Sequence, residues 1–171
     1  MSHYYGPSTA FDRARTPAQW YCLVAGASLL LAGVLGFVAD ASAEFGDDVQ
    51  GGSLVGFEVN AIHNLVHVAS GVVLLAASRR RPSARTVALG FGLVYGLVAV
   101  IGIIDGSDVL GLIPVNAADN VLHVGLALLG IVTGLISRTA DRSHSDAAVD
   151  HATNPRFGRA GDGAKRDAAR H

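Results

Sequence analysis

Four side chains that could ligate a metal stand in two pairs, and the members of each pair are four residues apart: His63 with His67, and Asp119 with His123. On an α-helix, residues four apart lie on the same face, about one turn from each other. Three imidazoles and one carboxylate form a complete donor set for tetrahedral zinc or a similar divalent ion. The spacing is therefore compatible with a metal site, if two helices bring the pairs together.

Asparagines accompany both pairs and extend them into two polar stripes. At about 100° per residue, the polar residues of each segment fall within one stripe about 100° wide. Unpaired polar groups are costly in hydrocarbon, so the stripes must face protein or water, and most simply each other. We call the two stripes together the polar band; its members are Asn60, His63, Asn64, His67, Asn116, Asp119, Asn120 and His123.

The two stripes belong to an internal repeat. VNAIHNLVHV at 59–68 and VNAADNVLHV at 115–124 align with a shift of 56 residues. The repeat breaks where His63 corresponds to Asp119. Both units contain two helices, so they share one orientation and a pseudo-twofold axis along the membrane normal. We expect His63 and Asp119 to lie at equal depth near this axis and to share a hydrogen bond.

Four apolar blocks supply the helices that must position the band. Each is near the ~20 residues that cross ~30 Å of hydrocarbon as a helix. The predicted fold is therefore all-α, a four-helix transmembrane bundle made of two tandem helical hairpins. The predicted spans are about 20–39, 60–78, 87–104 and 114–136, which together form a membrane domain over 19–136.

Apart from Asp119, nearly all charge lies in the connections and the ends of the chain. The connection at 79–85 carries four arginines, whereas the acidic connections at 40–58 and 105–108 contain neither Lys nor Arg. By the positive-inside rule, both termini should be cytoplasmic, in a multi-pass protein of the cell membrane. The polar band then lies in the outer half of the bundle, with His67 about 10 Å deep. The net charge of −1 gives no reason to expect a nucleic-acid partner.

The ends of the chain and the first outer connection look unstructured. Residues 137–171 are rich in Asp, Arg, Ala, Gly and Ser, which predicts a disordered cytoplasmic tail. Residues 1–18 should form a mobile cytoplasmic N-terminal tail. Gly46, Gly51 and Gly52 favour a flexible, solvated outer connection. The small residues at 41–43 resemble a signal-peptide cleavage site, but the preceding apolar block is longer than a typical signal-peptide core.

The motifs VN-x-x-HN-x-x-H and IPVN-x-ADN-x-LH resemble a family of small four-helix integral membrane proteins. That family is common in actinobacteria and is known only as a domain of unknown function. The resemblance covers roughly 16–136 and implies the same bacterial membrane topology. It implies no activity, ligand or catalytic residue.

Several functions remain open for the polar band. It can act as structural polar packing, since Asn and His pairs fix helix register in membranes and Asn60 and Asn116 are good N-caps. It can bind a metal, or hold haem b between His67 and His123 as axial ligands. It can also conduct protons or ions, because an acid inside a membrane is a functional candidate. We favour a non-enzymatic protein whose band is structural first.

Other signals are weak. The sequence has no G-x-S-x-G, P-loop or H-E-x-x-H motif, and the single cysteine, Cys22, excludes an internal disulfide. Besides the lipid bilayer, the partner that the sequence allows is a second copy of the chain. Small residues four apart permit close helix packing, either within the chain or between copies; they are Ala32 and Gly36, Gly92 and Gly96, and Gly130 and Gly134.

Overall fold

A computed structural model describes residues 14–43, 46 and 49–153, with side chains described as far as Ser137. The chain divides into two units, Met1–Ser137 and Arg138–His171. The predictions for most of the N-terminal tail and for the end of the C-terminal tail lie outside the described residues, as do those for three acids of the first outer connection.

The first unit contains a bundle of four helices, as predicted. Three helices are long and apolar enough to cross a membrane: α1, α3 and the Ala117–Ser137 part of α4. Each hairpin of helices encloses one two-stranded antiparallel β-hairpin, β1–β2 in the first and β3–β4 in the second. The elements are α1 (Pro17–Ala39), β1 (Gly52–Leu54), β2 (Phe57–Val59), α2 (Ala61–Ala77), α3 (Arg81–Asp105), β3 (Asp108–Val109), β4 (Ile113–Pro114) and α4 (Ala117–Thr153).

The second helix is shorter than its predicted span. α2 has 17 residues, or about 26 Å at the α-helical rise, against about 30 Å of hydrocarbon. It cannot extend towards the β-hairpins, because Val59 pairs with Gly52 and Asn60 caps the helix. α2 is therefore an apolar helix a few residues short of the length expected for a lone span.

The β-hairpins replace the flexible outer connection that the glycines predicted. In the first hairpin, Val55 and Gly56 have φ of 54° and 91°, the paired left-handed values of a tight two-residue turn. Gly52 is packed rather than mobile, since a Cβ there would stand 2.7 Å from the Cβ of Asp40. The backbone N–H of Gly46 donates to the carbonyl oxygen of Gly111, which joins the connection before the first hairpin to the turn of the second. We call this end of the bundle the hairpin end.

Small and polar side chains fill the interior, and large apolar ones face outward. The apolar core is mostly alanine, together with Tyr21, Leu29, Leu74 and Tyr95. Val38 and Ile104, by contrast, are more than four-fifths exposed. Such an inverted arrangement is typical of helices that pack through small residues and present Leu, Ile and Val to lipid.

The fourth helix begins later and ends later than predicted. Pro114 lies in β4, paired with Asp108, so α4 starts only at Ala117. At the other end the backbone is helical to Thr153, where the composition predicts a disordered tail. No glycine or proline interrupts 137–153, and the helix ends just before the residue that precedes Pro155, where the α conformation is disfavoured.

Candidate functional site

Two asparagines of the polar band cap helices and connect the repeats. Asn60 accepts the backbone N–H three residues later at 2.9 Å, and Asn116 does the same at 3.1 Å. Each side-chain amide then donates across the bundle, from Asn60 to the carbonyl oxygen of Leu112 and from Asn116 to that of Gly56. The predicted N-caps are confirmed, and each one also holds the β-hairpin of the other repeat.

The next pair of asparagines packs against glycines of the preceding helix. Asn64 lies against Gly36, and Asn120 lies against Gly102. In both repeats a Cβ on the glycine would overlap the Oδ1 atom of the asparagine. Asn64 also donates to the carbonyl oxygen of Asp40 at the end of α1, at 2.8 Å. These contacts fix how closely the two helices of each repeat approach.

Asp119 is buried and bonds to the backbone instead of to His63. Its Oδ2 atom accepts the N–H groups of Glu58 and Asn116, both at 3.0 Å, and the residue is 2% exposed. Within the described residues no hydrogen bond joins Asp119 to His63, so the expected Asp–His bond is absent. The two groups still lie close enough to interact electrostatically.

Three histidines of the band converge, and we call His63, His67 and His123 the histidine triad. The Nε2 atoms of His63 and His67 lie 3.1 Å apart, within hydrogen-bond distance. One ligating nitrogen from each of the three residues can be chosen so that all lie within 4.8 Å of one another. Their exposed fractions are 2%, 6% and 3% in sequence order, so the rings are shielded from solvent.

Part of the hydrogen-bonding capacity of the triad is unused. The Nδ1 atom of each ring is buried and has no hydrogen-bond partner among the described residues. Buried polar atoms without partners are rare in folded proteins. The asparagine amides and Asp119 all hydrogen-bond to the backbone or pack against it, whereas the triad is linked mainly to itself.

An aromatic residue that the sequence analysis did not single out completes the surroundings of the triad. The ring of Tyr95 on α3 stands edge-on to His123, with centroids 5.5 Å apart, and stacks on Phe91. Tyr95 is buried, and its hydroxyl has no hydrogen-bond partner among the described residues. The only signal in the sequence was a tyrosine in the middle of an apolar helix.

Three imidazoles are a common protein donor set for a metal ion with one position left open. Around a tetrahedral ion with bonds of about 2.0–2.1 Å, two nitrogens stand about 3.3 Å apart. The His63–His67 separation of 3.1 Å is close to that value, and the whole set of three nitrogens lies within 4.8 Å. Of the four predicted ligands, the three imidazoles come together, and the Asp119 carboxylate is engaged elsewhere.

The arrangement is unfavourable for haem. The His63 ring lies 4.4 Å from that of His67 and 6.1 Å from that of His123, centroid to centroid. It therefore occupies the region next to both predicted axial ligands. A porphyrin between His67 and His123 would have to displace it.

Outside the bundle, one acid has a shifted ionisation. The carboxylate of Asp40, just beyond α1, accepts the N–H of Ser42 at 2.7 Å and that of Gly52 at 2.6 Å. The bonds from Ser42 and from Gly52 lower the pKa of Asp40, because they stabilise its charged form. This acid tethers the first β-hairpin to α1.

Comparison with known proteins identifies the family but no activity. Searches of curated proteins and of solved structures gave no match. The family described as Domain of unknown function (DUF4383) matches residues 19–136, which include α2 and α3 and nearly all of α1 and of the apolar part of α4. The matched region also contains the whole polar band. The chain belongs to this family of proteins with a domain of unknown function.

Proposed function

We propose that this protein is a non-enzymatic, multi-pass membrane protein that binds one divalent transition-metal ion at the histidine triad. The observation that carries the proposal is the convergence of three buried imidazoles whose ligating nitrogens lie within 4.8 Å of one another. Imidazole nitrogen suits zinc, copper, nickel and iron, whereas magnesium and calcium prefer oxygen. The remaining members of the band hold the helices and hairpins that position the triad.

The charge around Asp119 also supports a cation. Asp119 is buried, its described partners are two backbone N–H groups, and the acidic connections on either side of it contain no Lys or Arg. A buried carboxylate without a counter-charge is costly in a membrane. A divalent ion on the triad, beside His63, would supply the missing positive charge without requiring Asp119 as a ligand.

Orientation follows from the arginines. We place the connection between α2 and α3, with Arg79, Arg80, Arg81 and Arg85, on the cytoplasmic side, together with both termini. The hairpin end then faces outward from the cell membrane. The triad is reached from that side, since it stands within the first two turns of α2 and α4.

Two features favour binding over catalysis or conduction. The triad residues are at most 6% exposed, which leaves little room for a substrate beside the ion. Further along α2, Leu74 is fully buried in the apolar core with Leu29 and Ala88. An apolar layer of this kind interrupts a polar path across the bundle, and a conducting channel needs such a path.

The test is the metal content of the purified protein. The chain would be prepared in mild detergent with a histidine-free affinity tag, loaded with Zn²⁺ or Co²⁺, and desalted. We expect about one ion per chain in the wild type and less than a tenth of that in the His67→Ala, His123→Ala double variant, because at least two protein ligands are lost. Cobalt should also give the visible absorption of a four-coordinate site.

A matched control removes two histidines from the C-terminal tail. His144→Ala, His151→Ala deletes the same number of imidazoles at a distance in sequence from the triad, and we expect it to bind metal like the wild type. Equal loss in both double variants would mean adventitious binding. If the wild type holds no metal after the same loading and desalting, the proposal is wrong and the band has a structural role.

A further inference from the structure

A polar cavity lies at the hairpin end. Its volume is about 380 Å³, and the residues that line it are Val49, Gln50, Gly51, Glu58 and Ser107. The lining residues thus include one with a carboxylate, one with an amide and one with a hydroxyl. Oxygen donors of these kinds bind divalent cations weakly and exchange them readily when the site keeps water.

One residue connects the cavity with the polar band. Glu58 lies in β2, where it pairs with Ser53. Its backbone N–H donates to Asp119 at 3.0 Å. Glu58 thus lines the cavity and, through its main chain, contacts a member of the polar band. Asp119 in turn lies close enough to His63 of the triad to interact with it electrostatically.

We infer that this cavity is the entrance through which a divalent cation reaches the histidine triad, with the Glu58 carboxylate as its first ligand. The inference rests on the proposed function and adds the direction of metal entry, from the hairpin end towards the triad. A transition-metal ion held by oxygen atoms at Glu58 would bind more tightly after moving on to the three imidazoles. Magnesium and calcium prefer oxygen ligands and would not, so the move from the cavity to the triad also selects the ion.

The surrounding charge favours such an entrance. The connections at 40–60 and 105–116 contain seven acids and no Lys or Arg. A surface of one sign concentrates ions of the opposite sign and speeds their association. Of the acids here whose placement the structure describes, Glu58 is the one that lines the cavity. Its effect on the association rate should therefore exceed that of an acid elsewhere on the same end.

The test is the rate of Co²⁺ binding, followed by stopped-flow absorption in detergent. Glu58→Gln keeps the backbone bond to Asp119 and removes only the charge. We expect the association rate constant to fall about tenfold, the lower end of the range for electrostatic focusing. The dissociation constant should change less than about threefold, because Glu58 is not a ligand in the final site. Glu58→Asp should recover most of the rate.

The control is Asp105→Asn, which removes the same charge from an exposed acid at the end of α3. We expect less than a twofold change in rate. If Glu58→Gln binds Co²⁺ at the wild-type rate, or if both variants are slowed equally, the proposed entrance is wrong. The proposed metal site is not affected by either result. Loss of binding at equilibrium in Glu58→Gln would make Glu58 a ligand and also overturn it. A wild type that binds no Co²⁺ would remove both proposals.

Discussion

The two repeats share one scaffold and differ at the position where chemistry is expected. In each repeat an asparagine caps the second helix, and the next asparagine packs against a glycine of the first helix. At the third position of that second helix, the first repeat has His63 and the second has Asp119. His63 joins the triad, while Asp119 binds backbone N–H groups. The two repeats thus share the same caps and helix contacts. The exchange of an acid for His63 in the first repeat provides the third imidazole of the candidate binding site.

The sharpest test of this division of roles compares Asp119→Ala with His63→Ala in metal-free protein. Asp119→Ala leaves two N–H groups without their acceptor, at about 1–3 kcal/mol each, or roughly 2–6 kcal/mol in all. His63→Ala removes no acceptor of a backbone N–H and should cost less. Thermal unfolding in detergent with a chelator measures both. The division fails if Asp119→Ala is the more stable of the two.

The glycine contacts test whether the two repeats pack alike. Gly36→Ala should destabilise the fold by about 1–3 kcal/mol, because the new Cβ overlaps Asn64, which is held by its bond to Asp40. Gly102→Ala should cost less, since its Cβ would stand 2.5 Å from Asn120 Oδ1, a smaller overlap.

Gly96→Ala is the matched control for both glycine variants. Its Cβ would meet only the Cβ of Ala127, at an ordinary 3.6 Å. We expect its unfolding temperature to stay within a degree or two of the wild type, which corresponds to about 0.5 kcal/mol. A Gly36→Ala protein that unfolds like Gly96→Ala would show that the glycine–asparagine contact is dispensable.

The smallest expected effect distinguishes the ends of the first helices. The C-cap residue of α1 is Asp40, whose carboxylate accepts two N–H groups. The C-cap residue of α3 is Gly106, with φ of 94°. Because folding lowers the pKa of Asp40, its contribution to stability is present above the unfolded value of about 3.9 and is lost as the pH falls below it. Asp40→Asn should lack this contribution.

The measurement is the difference in unfolding temperature between wild type and Asp40→Asn, taken at pH 7 and again near pH 3. We expect the wild type to be slightly more stable at pH 7, and the difference to shrink at the lower pH. A difference that stays constant over this range would mean that the charge of Asp40 has no part in tethering the first β-hairpin.

Long-range periodicity explains what could be predicted from sequence. Four apolar blocks and the 56-residue shift were sufficient to place four helices, the two N-caps at Asn60 and Asn116, and the meeting of two polar stripes. The convergence of His63, His67 and His123 follows from the same periodicity, because residues four apart share a helix face.

What escaped prediction depends on the backbone and on short elements. The β-hairpins have strands of two or three residues, and the Val55–Gly56 turn lacks the Asn-Gly or Asp-Gly signal. The partners of Asp119 are backbone N–H groups, one of them on β2, which no side-chain pattern reveals. Tyr95 reaches His123 only through the packing of α3, for which the sequence has no repeated signal.

The most direct test of the central claim is the X-ray absorption fine structure of the zinc-loaded wild type, compared with that of His63→Ala. The account predicts three imidazole nitrogens at about 2.0–2.1 Å, completed by one light atom. One imidazole fewer, or loss of zinc, is expected in the variant. A shell of oxygen atoms alone, or an identical spectrum from His63→Ala, would contradict the assignment of the histidine triad as a metal site.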